Sequence, residues 1–171
     1  MNKVVITQDR KQQHKDKRNM QKEIEKLKKT RIYLLDLIKD LSVEQLNEVP
    51  YGFNNNIIWN LGHLIVSQQG LCYLRAGIKP IIDEKYFTNY KPQTKPETPI
   101  DKVEVKKIKD LFIAVLDKLE SDYNENVFTN YGTFTTPYGV ELTNIDDALN
   151  FILFHEGLHT GYIMAMKHLL K

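Results

Sequence analysis

Seven residues near the end of the chain, Ala148, Ile152, His155, His159, Tyr162, Met166 and Leu169, recur at alternating intervals of four and three. Those intervals trace the inward seam of a bundle helix, because residues three and four apart return to one side of a 3.6-residue turn. The helix is expected to open at Thr143, with Asp146 three residues on as its capping-box partner. Two seam positions where Leu or Ile belongs are the histidines His155 and His159. They lie on one face, one turn or roughly 5–6 Å apart. Burying two imidazoles in adjacent layers is costly unless their nitrogens find partners. One divalent cation satisfies both, since neutral imidazole is a common ligand for such ions. Core histidines hydrogen-bonded to tyrosines or water are the alternative.

The same spacing recurs upstream. Met20, Ile24, Leu27, Arg31, Leu34, Ile38 and Leu41 form a second seam whose one interruption, Arg31, is expected to snorkel its charge out to water. Ser42 with Gln45 reads as a capping box that opens a short helix, ended by Val49-Pro50. A further helix starts in Asn54-Asn55-Asn56 and runs toward Gly77; it is apolar over so much of its circumference that it must be well buried. It carries His63, and also Gly70, whose cost of close to 1 kcal/mol relative to Ala implies close packing or room left for something.

Pro80, Pro92, Pro96 and Pro99 mark residues 78–99 as a long crossover connection. Thr98-Pro99, with Asp101, opens the next long helix, whose seam is Val105, Ile108, Phe112, Val115 and Leu119. Residues 122–142, rich in Thr, Tyr, Phe and Gly, read as an irregular loop or a small hairpin turning near Pro137-Tyr138-Gly139, at the rim of a pocket. Four long helices with one long crossover make an all-α four-helix bundle. The expected division is a flexible basic lead-in over residues 1–18 and a bundle domain over residues 19–171.

At 171 residues the chain can bury a sizeable core. No apolar run approaches the roughly 20 residues of a membrane span, and no membrane partner is expected. The single cysteine, Cys72, has no partner for an internal disulfide, which points to a reducing cytoplasm. The net charge of +2 is unevenly placed: residues 1–31 carry eleven Lys/Arg against four Asp/Glu, leaving −5 for the remainder. No aromatic residue precedes Tyr33 to stack on bases, so the basic arm reads as a solvated helix face and no nucleic-acid partner is expected.

His155-Glu156-Gly157-Leu158-His159 matches H-E-x-x-H, the zinc-protease helix in which Glu is the general base. The rest of that pattern is missing. Its later Gly and His would fall where Tyr162 and Ala165 stand, and no Glu, Asp or Cys follows His159. A third ligand must come from upstream. His168 points to another face and His14 lies in the lead-in, which leaves His63. Three histidines are the protein share of a catalytic metal site, with positions left for water or substrate, and their neutrality favours an anionic ligand such as a thiolate. Glu156 lies about 100° round the helix from His155, and its role stays undecided between ligand, support and solvent. Cys72 sits on the opposite side of its helix from His63 and makes no dyad with it. Tyr51, Trp59, Tyr73, Phe154 and Tyr162 are candidates to line a pocket, although aromatics at helical spacing are more often core.

Three motifs carry a resemblance: L-S-x-E-Q-L from Leu41 to Leu46, N-x-x-x-W-N-L-G-H-L from Asn55 to Leu64, and H-x-x-x-H-x-G from His155 to Gly161. In order, spacing and place in the bundle they resemble the DinB-like superfamily, over nearly the whole chain from about residue 19. The resemblance implies a four-helix bundle, often a homodimer, with a three-histidine divalent site at His63, His155 and His159; zinc or nickel is the expected ion. Characterised relatives include bacillithiol S-transferases and a mycothiol-dependent isomerase, which implies activation of a low-molecular-weight thiol, or of water, at the metal. Other members are named only for DNA-damage or stress induction, so a non-catalytic binding or stress-response module is the alternative. Where many relatives have Gly-Gln, this chain has Gly161-Tyr162.

Overall fold

Each of the four expected long helices forms in the computed structural model, which describes residues 2–170, with side chains from Lys17 to Leu170. They are α1 (Asn2–Leu37), α3 (Ile57–Cys72), α5 (Lys102–Asn124) and α6 (Ile145–Leu169), with the short α2 (Val43–Asn47) between the first two. Both α1 and α3 pack on α5 and α6, so the cyclic order is α1–α5–α3–α6, with α1 diagonal to α3. The all-α four-helix bundle is as expected. No helix among the described residues is long and apolar enough to cross a membrane. The expected lead-in at 1–18 falls mostly on residues 1–16, whose side chains lie outside the described ones; the α1 backbone is helical from Asn2.

Local chemistry sets the ends. Ser42 and Gln45 form the reciprocal capping box. Asn56 is the one of the three asparagines that caps α3, accepting from the Trp59 N–H. After Cys72 a 3₁₀ turn, Leu74–Ala76, ends on Gly77 at φ 68°, the left-handed conformation that glycine adopts at no steric cost. Two caps differ from expectation by a few residues. Asp101, not Thr98, caps α5. Asn144, not Thr143, caps α6, while Thr143 bonds the Asp147 carboxylate through both its N–H and its hydroxyl. Thr, Asn and Asp all accept from a first-turn N–H, so position within the loop decides among them.

The α5 seam is buried as expected. Residues 122–142 contain the small hairpin, β1 (Phe134–Thr135) antiparallel to β2 (Glu141–Leu142), with Gly139 at φ 78° in its turn. The crossover holds one element the periodicity misses, α4 (Glu84–Tyr90), which lays Tyr86 and Tyr90 against α3. In the described part of the basic arm, Lys28 pairs with Asp117 and Glu120 of α5, and Lys17 bonds Asn124 and Asn126.

The core has two parts, one around Leu34, Ile38, Leu64, Ile108 and Phe112, the other around Ile24, Leu27, Leu116, Leu119 and Ile152. Arg31 stands one turn from Leu27 and one from Leu34, and it does not snorkel out. It is 0% exposed. Its Nε and Nη2 donate to Glu156 Oε1 of α6 at 2.9 and 2.5 Å, Nη1 donates to Phe112 O of α5 at 2.8 Å, and Nη2 also reaches Leu64 O of α3 at 3.2 Å. A single guanidinium therefore ties α1 to the other three helices, which is possible because its forked donors satisfy several acceptors at once.

Candidate metal centre

On α3, the stretch from Asn56 to Val66 is buried without a break. Gly62 permits this on the α4 side: a Cβ there would sit 2.6 Å from two ring atoms of Tyr90. With α4 drawn in so closely, the Tyr90 carbonyl accepts a hydrogen bond from His63 Nδ1 at 2.7 Å. That donor role fixes the tautomer and leaves the lone pair on Nε2. Consistently, the Ser67 hydroxyl donates to His63 Nε2 at 3.3 Å. The Trp59 ring stacks on the imidazole, 4.8 Å between centroids and 8° from parallel, and limits its rotation.

His155 and His159 reach the same point from α6, but not as layers of its seam. The face turned into the bundle is Ala148, Ile152, Glu156, Ile163 and Met166; Tyr162 and Leu169 are exposed, and the histidines flank this face, half-buried. The inward stripe is thus displaced about one residue from the expected one in the histidine turns. Burial of the Arg31–Glu156 pair accounts for this, since turning Glu156 inward places His155 and His159 on the side facing α3. His159 Nδ1 donates to Asn60 Oδ1 at 2.7 Å, and Asn60 is itself anchored by donating to Asn56 O at 2.8 Å. So His159, like His63, presents Nε2.

The three rings converge, with centroid separations of 5.2 Å (His63–His155), 4.8 Å (His63–His159) and 4.5 Å (His155–His159). One ring nitrogen from each lies within 4.8 Å of the other two, and this is the one group of three or more His, Cys, Asp or Glu among the described residues that could hold a metal ion. Burial, followed by mutual repulsion of the charged forms, pushes the His155 and His159 pKa values down to about 4 and about 3; burial also lowers that of His63. At neutral pH all three are uncharged, the state a metal ligand requires. Two ring tautomers held by a backbone carbonyl and an amide are the outer arrangement that metal-binding histidines use. The donor set therefore fits a divalent ion.

Glu156 is not part of this cluster. It is 1% exposed, its Oε1 is held by Arg31, and it faces the bundle interior outside the histidine cluster, which removes the general base that H-E-x-x-H would need. His168 is exposed and away from the cluster. Cys72 is buried, and burial pushes its thiol up to about 12, which makes it unreactive and leaves it clear of His63.

The cluster opens on a cleft of about 1400 Å³. Of the aromatic candidates, Trp59 and Tyr162 line it. Tyr51 is fully exposed, Tyr73 is buried in the second core part with its hydroxyl on Asp122, and Phe154 stands outside the lining, packed on Tyr138 and Phe151, which belong to it. Tyr138 and Phe134 bring the hairpin to the rim. Gly70 also lines the cleft, so its lack of a side chain provides room rather than close packing. Asn60 and Glu156 are the two residues around the site whose roles sequence reasoning did not find. Each bonds a residue about a hundred positions away, and the one available signal was Asn60 within the Trp59–His63 motif.

A family model described as the DinB superfamily matches residues 26–163, a span that includes all three histidines and both partners of the Arg31–Glu156 pair. No curated protein matches the chain.

Proposed function

The chain belongs to the DinB superfamily, and from that footing we propose that it binds a divalent ion, zinc or nickel, through His63, His155 and His159 and acts as a transferase on a low-molecular-weight thiol or on water. The observation that carries this reading is the convergence of three neutral imidazoles, two with their Nδ1 atoms already bound to Tyr90 O and Asn60, in an open cleft. A divalent ion held there supplies Lewis acidity that lowers the pKa of a thiol or water beside it. The protein's own contribution is positional. Three neutral ligands leave the ion's charge to attract an anion, Tyr90 O and Asn60 hold two of the rings, and Trp59 stacks on His63. The cleft exceeds the 300–1,000 Å³ of an ordinary small-molecule site, which suits two reactants side by side. By analogy with the resemblance we propose a homodimer, and a reducing cytoplasm suits the unpaired, buried Cys72.

The test is elemental analysis of the untagged protein beside His63→Ala and His155→Ala/His159→Ala. Near-stoichiometric zinc or nickel in the native protein, lost in both variants, followed by turnover with a panel of thiols and electrophiles, is the expected result. Absence of metal even after incubation with divalent ions overturns it. Metal without thiol binding or turnover favours the non-catalytic module, in which the histidine variants lose stability alone.

Asn60→Leu provides a finer check. It removes the acceptor of His159 Nδ1 and is expected to weaken divalent-ion affinity about 10- to 100-fold, measured by competition with a chromophoric chelator. Unchanged affinity would mean that His159 needs no support.

A further inference from the structure

The cleft does not end at the histidines. Val66, Gly70, Leu74 and Arg75 continue its lining along α3 and the following turn, so Arg75, twelve residues beyond His63, stands roughly 18 Å from it. The lining of this long arm is mainly apolar, with Ser67 its polar member on α3 and Phe87 of α4, Phe134 of the hairpin and Phe151 of α6 completing its walls. Gly70 leaves it open midway: a Cβ there would meet nothing nearer than Phe87 Cε1 at 3.9 Å.

Charge in the cleft has one sign. Among the described residues no Asp or Glu lines it, and its charged lining residues are Arg75 and Lys91. Lys91 follows Tyr90, whose carbonyl holds His63, and so marks the histidine end. Arg75 marks the other. Its guanidinium carbon lies over the Phe134 ring, 3.9 Å from the centroid, and the side chain enters none of the ion pairs among the described residues. A guanidinium stacked on an aromatic face keeps its forked edge free for a carboxylate.

We propose that the long arm binds a long-chain carboxylate, its head on Arg75 and its apolar chain running over Gly70 toward the histidine cluster. The inference goes beyond the functional reading above by naming a ligand class for the part of the cleft that lies past the histidines. It requires only the cleft and the cation, and so can be tested without metal.

Isothermal titration of the full chain, stripped of metal by chelator, would use decanoate and the neutral decanol as probes. Decanoate is expected to bind, and Arg75→Gln to weaken it about tenfold, as loss of one hydrogen bond to a charged group implies, with decanol binding unchanged as the control for an intact arm. Gly70→Leu, which fills the arm at a position with space for a side chain, is expected to weaken both probes without loss of helix content by circular dichroism. Decanoate binding that survives Arg75→Gln, that is lost in Lys91→Gln instead, or that ignores Gly70→Leu overturns the proposal, as does failure of either probe to bind. Failure of the metal reading would appear separately, in the elemental analysis.

Discussion

Glu156→Ala is expected to destabilise the protein by roughly 3–5 kcal/mol, the cost of breaking a buried ion pair by removing one partner. The Arg31 guanidinium, 0% exposed, would keep its bonds to Phe112 O and Leu64 O but lose the carboxylate that balances its charge. Arg31→Met leaves the reciprocal problem of a bare carboxylate in the core, and a loss of similar size. The double variant Arg31→Met/Glu156→Leu removes both charges, fills most of the volume and should recover much of that loss, because desolvating two ions offsets much of their attraction. Guanidinium unfolding followed by circular dichroism measures all three. A double variant as unstable as the singles would mean that the pair is a net source of stability. The pair also bears on the histidines, since Leu64 adjoins His63 and Glu156 adjoins His155. A recovered fold with weaker metal affinity would identify Arg31 as a positioning residue for the cluster.

Gly62→Ala is the second large effect, and its sign opposes helix propensity. Ala should favour a helix by close to 1 kcal/mol over Gly, but here its methyl would meet Tyr90 Cγ and Cδ1 at 2.6 Å, atoms at the base of the ring that cannot move without α4. Overpacking of this kind costs about 1–3 kcal/mol, so a net fall in stability is expected. Moving Tyr90 also moves the carbonyl that orients His63, and metal affinity should fall with stability. A variant that melts higher than the native protein would refute the close approach of α4 to α3.

The fold was legible where local chemistry is decisive. Four long helical segments, the Ser42–Gln45 box, the left-handed stop at Gly77 and the turn at Gly139 are properties of short stretches, and each formed as the residues imply. His63 could be paired with His155 and His159 because few histidines lie on apolar helices. The inward face of α6 was not legible. That helix is apolar nearly all round, with Phe154, Tyr162, Met164 and Leu169 exposed, so periodicity allows more than one stripe to face the core. The choice fell to Arg31 and Glu156, each of which looks like a surface residue until the other is beside it. The same holds for α4, a seven-residue helix formed where Tyr86 and Tyr90 find α3 to cover, and for Asn60, whose amide has a purpose only once His159 arrives from 99 residues away. The sequence by itself determined which segments are long helices and which three histidines could meet. Only the tertiary structure decided which face each helix turns inward, because the cost of burying a charge or an imidazole depends on partners brought from distant parts of the chain.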